Sequence, residues 1–261
     1  MKTKSAPFLT GLSALILSCA NVATPALAQA DGDDESGPIN VLFIVDASYS
    51  MKEKLSGQMK MTAAKEVLQD ALSRIPNSVN LGLRVFGQSY SNLADIDCRQ
   101  TSLMVPIGQH NRAAIIRSIR QIEPYGMTPI MFSLRQAAEE DFRGVQGRKT
   151  VILITDGADT CGGDPCAYMQ ALRVRGIKMK VDVVGVDLAR EKAAREQLKC
   201  ISAISMGKYF EANSSQTLIE GIVNSVDTAI SGKVIPKEAP KQESPAPSSE
   251  PPKVDPTPES K

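Results

Sequence analysis

The chain has 261 residues, 42% apolar and 23% charged, which supports one folded domain of ordinary size with tails and excludes disorder throughout. An aromatic content of 4% and the absence of Trp argue against stacking platforms for sugars or single-stranded nucleic acid. The formal charge is +1, and without Lys2 and Lys4 the remaining 28 Lys and Arg face 29 Asp and Glu, so there is no basic footprint for nucleic acid.

Lys2 and Lys4 precede an apolar stretch over residues 8–17, followed by Ala26-Leu27-Ala28 and Ala28-Gln29-Ala30. Small residues at that spacing suit signal peptidase, and the apolar run is too short for a stable membrane span. Residues 1–30 are therefore expected to be a signal peptide, cleaved before Gln29 or Asp31, and the protein to be exported, periplasmic or secreted. The alternative is a lipoprotein signal at Ile16-Leu17-Ser18-Cys19, which would anchor the chain through Cys19; membrane association is otherwise at most peripheral.

An acidic flexible leader, 31–38, precedes the first strand at 39–45, an apolar run broken only by Asn40, as in a central strand buried on both faces. Met61, Ala64, Leu68, Ala71, Leu72 and Ile75 recur at helical spacing until Pro76 stops them. A strand over 81–86 closes at Gly87. After a polar loop over 88–100 comes a short strand over 103–107, whose Pro106 suits a sheet edge.

Helices follow over 113–122, ending before Pro124, and over about 129–142. A fourth strand spans 150–155, a helix 167–174, a fifth strand 181–186 and a helix 191–206. A last short strand lies at Tyr209-Phe210 and a closing helix over 218–230. Strand and helix alternate almost throughout, which implies a doubly wound, mostly parallel α/β sheet with helices on both faces and one antiparallel edge strand. The domain covers 39–231. From Gly232 onward eight prolines punctuate Lys, Glu and Ser, a disordered Pro-rich tail over 232–261.

Cys98, Cys161, Cys166 and Cys200 form an even set in an exported chain, which points to two disulfides with three connectivities open. Closeness in sequence favours Cys161 with Cys166, leaving Cys98 with Cys200. The only histidine, His110, falls in a polar loop far from any cysteine pattern, which argues against structural zinc.

Ligands of open parallel sheets bind beyond the carboxyl ends of the strands. There the first strand ends in Asp46-Ala47-Ser48-Tyr49-Ser50-Met51, the fourth in Asp156-Gly157, and the turn before the mid-chain helix holds Thr128-Pro129. Singly, each reads as turn or capping chemistry. Together they bring two carboxylates and three hydroxyls to one rim, hard oxygen donors suited to Mg²⁺, Mn²⁺ or Ca²⁺. With Ser48, Ser50 and Thr128 as direct ligands, the cation would stay electrophilic toward an outside anion such as a partner's carboxylate.

These residues resemble the metal-ion-dependent adhesion site (MIDAS) of von Willebrand factor type A (vWA) domains, and the resemblance covers about 39–230. It implies a sheet ringed by helices, Ser48, Ser50 and Thr128 touching the metal, and Asp46 and Asp156 acting mainly through water. The cysteine-bearing loop from Asp156 to Cys166 is similar to one in exported bacterial proteins of this type. The implied activity is non-enzymatic, metal-dependent capture of a protein partner offering a carboxylate.

Asp159 and Asp164 are additional acids in that loop, read as loop solvation and, for Asp164 before Pro165, helix capping. Arg173, Arg175, Lys178 and Lys180 read as a solvated flank. Two other functions compete. A metal-assisted hydrolase with Asp46 as nucleophile lacks a second acid two residues later, a lysine positioned at the site, and a Walker loop. A peripheral accessory subunit of a membrane channel complex is compatible with export.

Overall fold

The computed structural model describes residues 37–231. The expected signal peptide, the lipidation alternative at Cys19, the expected leader up to residue 36 and the expected tail over 232–261 lie outside the described residues.

β1 (Ile39–Asp46) orders the rest of the molecule. Successive side chains of a strand point to opposite faces, and here both sets are apolar: Val41, Phe43 and Val45 enter one core, Leu42 and Ile44 the other. That is why the run reads as almost continuous instead of alternating. The exception, Asn40, is neutralised by hydrogen bonding: its amide nitrogen donates to the carbonyls of Pro38, Gln146 and Arg148 at 2.8–3.2 Å and its oxygen accepts from Asn80 at 2.8 Å.

A hairpin of β2 (Lys54–Leu55) and β3 (Gln58–Met59) leads into α1 (Lys60–Arg74). Met61, Ala64, Leu68, Ala71 and Leu72 of α1 are buried at helical spacing, and Ile75, held extended before Pro76, ends it. Then come β4 (Asn80–Phe86), the short α2 (Ala94–Asp97), β5 (Thr101–Gly108), α3 (Arg112–Arg120) and α4 (Ile130–Gln136). β6 (Arg148–Thr155), α5 (Pro165–Val174), β7 (Lys180–Val186), α6 (Lys192–Ile204), β8 (Tyr209–Ala212) and α7 (Ser215–Ser231) complete the order.

The six-stranded sheet runs β5-β4-β1-β6-β7-β8, parallel except where edge strand β5 pairs antiparallel with β4. The doubly wound α/β expectation and the edge position of Pro106 both hold. α1, α3 and α7 cover one face, and α4, α5 and α6 the other.

Three local features depart from expectation. The β2–β3 hairpin and α2 occupy stretches the sequence leaves irregular, being too short to carry a hydrophobic period. The helix expected over 129–142 widens into a π turn at Ala137–Asp141. That turn carries Asp141, whose carboxylate accepts two 2.6 Å hydrogen bonds from Arg84 in a buried ion pair.

The disulfide pairing is a correction. Cys98 bonds Cys161 and Cys166 bonds Cys200, with Cα atoms 5.4 and 5.7 Å apart, in place of Cys161–Cys166 and Cys98–Cys200. Proximity in sequence misleads because Cys166 sits on α5, which packs against α6 and its Cys200, while Cys161 meets the loop after β4. Closing loops of 63 and 34 residues is worth about 4 kcal/mol each by chain entropy.

Candidate metal centre

β1 pairs with β4 on one side and β6 on the other, so the chain leaves β1 in both directions across the sheet. A crevice opens at the carboxyl ends of two such strands. Asp46 ends β1 and Asp156 follows β6 directly.

The loop after β1 is shaped from within. Asp46 Oδ1 accepts the Ser48 backbone N–H at 2.6 Å, which turns the chain into a 3₁₀ turn over Tyr49–Lys52 whose Met51 is fully buried. With Met51 as anchor, the Ser48 and Ser50 hydroxyls face each other at 3.1 Å. Ser50 Oγ donates to Asp156 Oδ1 at 2.7 Å, joining the β1 and β6 loops across the crevice. Thr155 Oγ1 donates to Asp46 Oδ2 at 2.6 Å.

Two glycines allow the third loop to approach. Ser48 and Gly126 form a parallel bridge, Tyr49 N–H donates to Gly126 O at 3.0 Å, and Gly126 N–H donates to Gly87 O at 2.7 Å. Gly87 has φ +74°, and a Cβ there would lie 2.6 Å from Ser48 N and 2.7 Å from Met127 O. Thr128 follows in this loop and is buried.

Four of the five expected site residues, Asp46, Ser48, Ser50 and Asp156, are thus joined by one hydrogen-bond chain. Thr128 lies in the loop bridged to Ser48. Its backbone N–H donates to Thr160 Oγ1 at 2.9 Å and its carbonyl accepts from Thr160 and Ile130. Its hydroxyl makes no bond to the other four and does not cap α4, whose capping position is Pro129. The capping use that competes with ligation is therefore not taken up.

The other acids have structural work. Asp159 accepts from the backbone of Met131, Cys161 and Gly163 at 2.8–3.2 Å, so it braces the loop instead of facing solvent. Asp164 caps α5 by accepting from Ala167 N–H at 2.9 Å. His110 is exposed in a turn with φ +59°. In the basic flank Arg175 lies 3.5 Å from Glu139 and Lys180 3.1 Å from Asp182.

One expectation fails. A lysine is positioned at the site: Lys60 Nζ lies 3.0 Å from Asp156 Oδ2, 2.8 Å from Glu53 Oε2 and 3.6 Å from Asp187 Oδ2. As the first residue of α1 it places a cation where the helix dipole disfavours one. That misplaced charge was the available sequence signal. In sequence Thr155 is only the end of a strand; in the fold its hydroxyl holds Asp46.

Burial and, after it, the Asp156 charge push the Asp46 pKa up to about 7. Burial also raises Asp156, against hydrogen bonding from Ser50 and the charge of Lys60. For Lys60 burial works against the charged form, but Glu53 and Asp156 outweigh it and its pKa lies above the ordinary value. The crevice thus holds more buried negative charge than its own cation satisfies.

Among the described residues no three His, Cys, Asp or Glu side chains cluster where they could hold a metal. An ion here would depend on hydroxyls beside two carboxylates, an all-oxygen set suited to a hard divalent cation.

The von Willebrand factor type A domain family matches residues 40–225. The uncharacterized protein YwmD of Bacillus subtilis (strain 168) is 31% identical over 199 residues, covering 75% of this chain and 86% of the relative. The pilus adhesin SpaC from Lactobacillus rhamnosus GG superposes with a TM-score of 0.59 at 16% identity, over 76% of this chain and 30% of the adhesin. Proximal thread matrix protein 1 from the mussel byssus, with a zinc-occupied MIDAS motif, gives 0.55 at 20% identity, over 72% and 45%. With its sheet order, its acidic crevice and a match over most of its length, the chain belongs to the von Willebrand factor type A domain family.

Proposed function

We propose that this protein is an exported, non-enzymatic binding module that holds a divalent cation, Mg²⁺ with Mn²⁺ or Ca²⁺ as substitutes, and through it captures an acidic group of a protein partner. Ser48, Ser50 and Thr128 would touch the ion, with Asp46 and Asp156 balancing its charge. A bound cation supplies Lewis acidity toward an incoming carboxylate.

The observation carrying this reading is the Ser48–Ser50–Asp156 chain across the crevice, backed by a buried Asp46 that its neighbours leave short of positive charge. SpaC is named a pilus adhesin and the mussel protein a thread matrix protein, which fits a role in holding other proteins. Two disulfides fit an oxidising compartment, and no helix among the described residues is long and apolar enough to cross a membrane. Asp46 is fully buried and bonded on both oxygens, which argues against it as a hydrolase nucleophile.

Isothermal calorimetry of the purified protein tests the reading. Mn²⁺ uptake near one ion per chain is expected, lost in Asp46→Ala with an unchanged far-UV circular dichroism spectrum. Capture of a partner from envelope extract should require the ion. Equal capture in EDTA, or no ion uptake by the intact protein, ends the proposal.

A further inference from the structure

Lys60 is the one described feature of the crevice that a simple ion cage does not need. Its side chain is 4% exposed, and it meets the fully buried Asp156 carboxylate. Glu53 and Asp187, 67% and 45% exposed, hold it from outside. Lys60 N–H also donates to Glu53 O at 2.8 Å, and Asp187 reaches Lys60 from a left-handed backbone, φ +55°, whose N–H is tied to Ala212 O. Carboxylates from the loops after β1, β6 and β7 therefore converge on one almost fully buried ammonium.

We infer that Lys60 sets the charge of the site, weakening its grip on a bare divalent ion and strengthening the hold of the loaded site on an anion. The inference rests on the metal reading above. Asp46 and Asp156, both ionised, would formally neutralise a divalent cation, leaving little pull on an incoming carboxylate. Lys60 returns one unit of positive charge. The exposed Glu53 and Asp187 offset it only partly, because solvent screens them.

The same ammonium occupies Asp156 Oδ2 while Ser50 occupies Oδ1, which keeps that carboxylate oriented as a second layer behind the hydroxyls. Metal and outside anion then become mutually dependent. Each binds better when the other is present, and the coupling is reciprocal.

The test is Mn²⁺ calorimetry on the purified full chain at pH 8, with and without acetate as the carboxylate probe. Lys60→Met should bind Mn²⁺ tighter by at least on the order of tenfold, from the removal of a positive charge in contact with Asp156, and Lys60→Arg should stay close to wild type. Acetate should tighten Mn²⁺ binding in the wild type and lose most of that effect in Lys60→Met. Should Lys60→Met not fold, Lys60→Gln, which keeps a hydrogen-bond donor toward Asp156, is expected to shift the same way. A lysine that only braces the loop predicts the opposite sign, weaker Mn²⁺ binding in the neutral variants. Unchanged or weaker binding there, beside a wild type that does take up Mn²⁺, overturns the inference while leaving the metal reading intact. Uptake by neither protein removes both.

Discussion

The two ends of β1 each bury a polar side chain, and they treat it in opposite ways. At the amino end Asn40 is neutral, its two N–H donors shared among three carbonyls and its oxygen accepting from the Asn80 amide. At the carboxyl end Asp46 also has both oxygens bonded, yet among the described residues no cation pairs with it, and its pKa climbs to about 7. Hydrogen bonds satisfy direction; only a cation satisfies charge. The amino end is complete as folded, whereas at the carboxyl end no cation among the described residues is paired with Asp46, which is the deficit the proposed divalent ion would meet.

Arg84 and Asp141 show what a complete buried charge looks like, and breaking that pair is the severest test of the comparison. Asp141→Ala leaves a buried guanidinium unpaired and should cost roughly 3–5 kcal/mol by chemical denaturation, with or without divalent ions. Asn40→Ala comes next. It removes a buried amide that bonds three backbone carbonyls and Asn80 and should cost about 1–3 kcal/mol, again with no dependence on metal.

Asp46→Asn is predicted to have the opposite sign. The folded pKa of Asp46 is raised from 3.8 to about 7, so the native state holds its proton more tightly than the unfolded chain. The stability this provides is present at low pH and drains away as pH rises from about 4 to about 7. In EDTA at pH 8, Asp46→Asn should therefore melt a few degrees above wild type, the gap narrowing toward pH 5, with the Thr155 hydroxyl free to accept from the new amide. Mg²⁺ should raise the wild-type melting temperature and leave the variant where it was. A variant that melts lower than wild type at pH 8 in EDTA would mean that Asp46 carries no charge deficit.

The sheet was legible because its signal is redundant. β1 reads as a buried strand from its unbroken apolar run, β5 as an edge strand from Pro106, and α1 from its apolar spacing and Pro76. The Asp46, Ser48 and Ser50 spacing was legible too, since it lies within one loop. The rest of the crevice depends on contacts between distant segments. Lys60 shows in sequence only as a cation at a helix start, and its partner emerges only when the crossover from β1 to β4 carries it against Asp156. Thr155 differs from its strand neighbours by one oxygen, and its use depends on β6 lying beside β1. The cysteine pairing is hidden from the sequence for the same reason: separation along the chain says nothing about which helix faces which.

Gly87 and Gly126 have a consequence for how such a face can diversify. They let three backbones pack within contact distance, so the spacing of the buried oxygen atoms is decided by main chain, below the surface. Tyr49, Tyr90, Leu93, Ile96 and Tyr125 project outward from these same loops and are largely exposed. Exchanging them alters the outer texture while leaving the spacing beneath undisturbed, so under the proposed binding role selection or engineering could retune the partner without rebuilding the interior, provided both glycines remain.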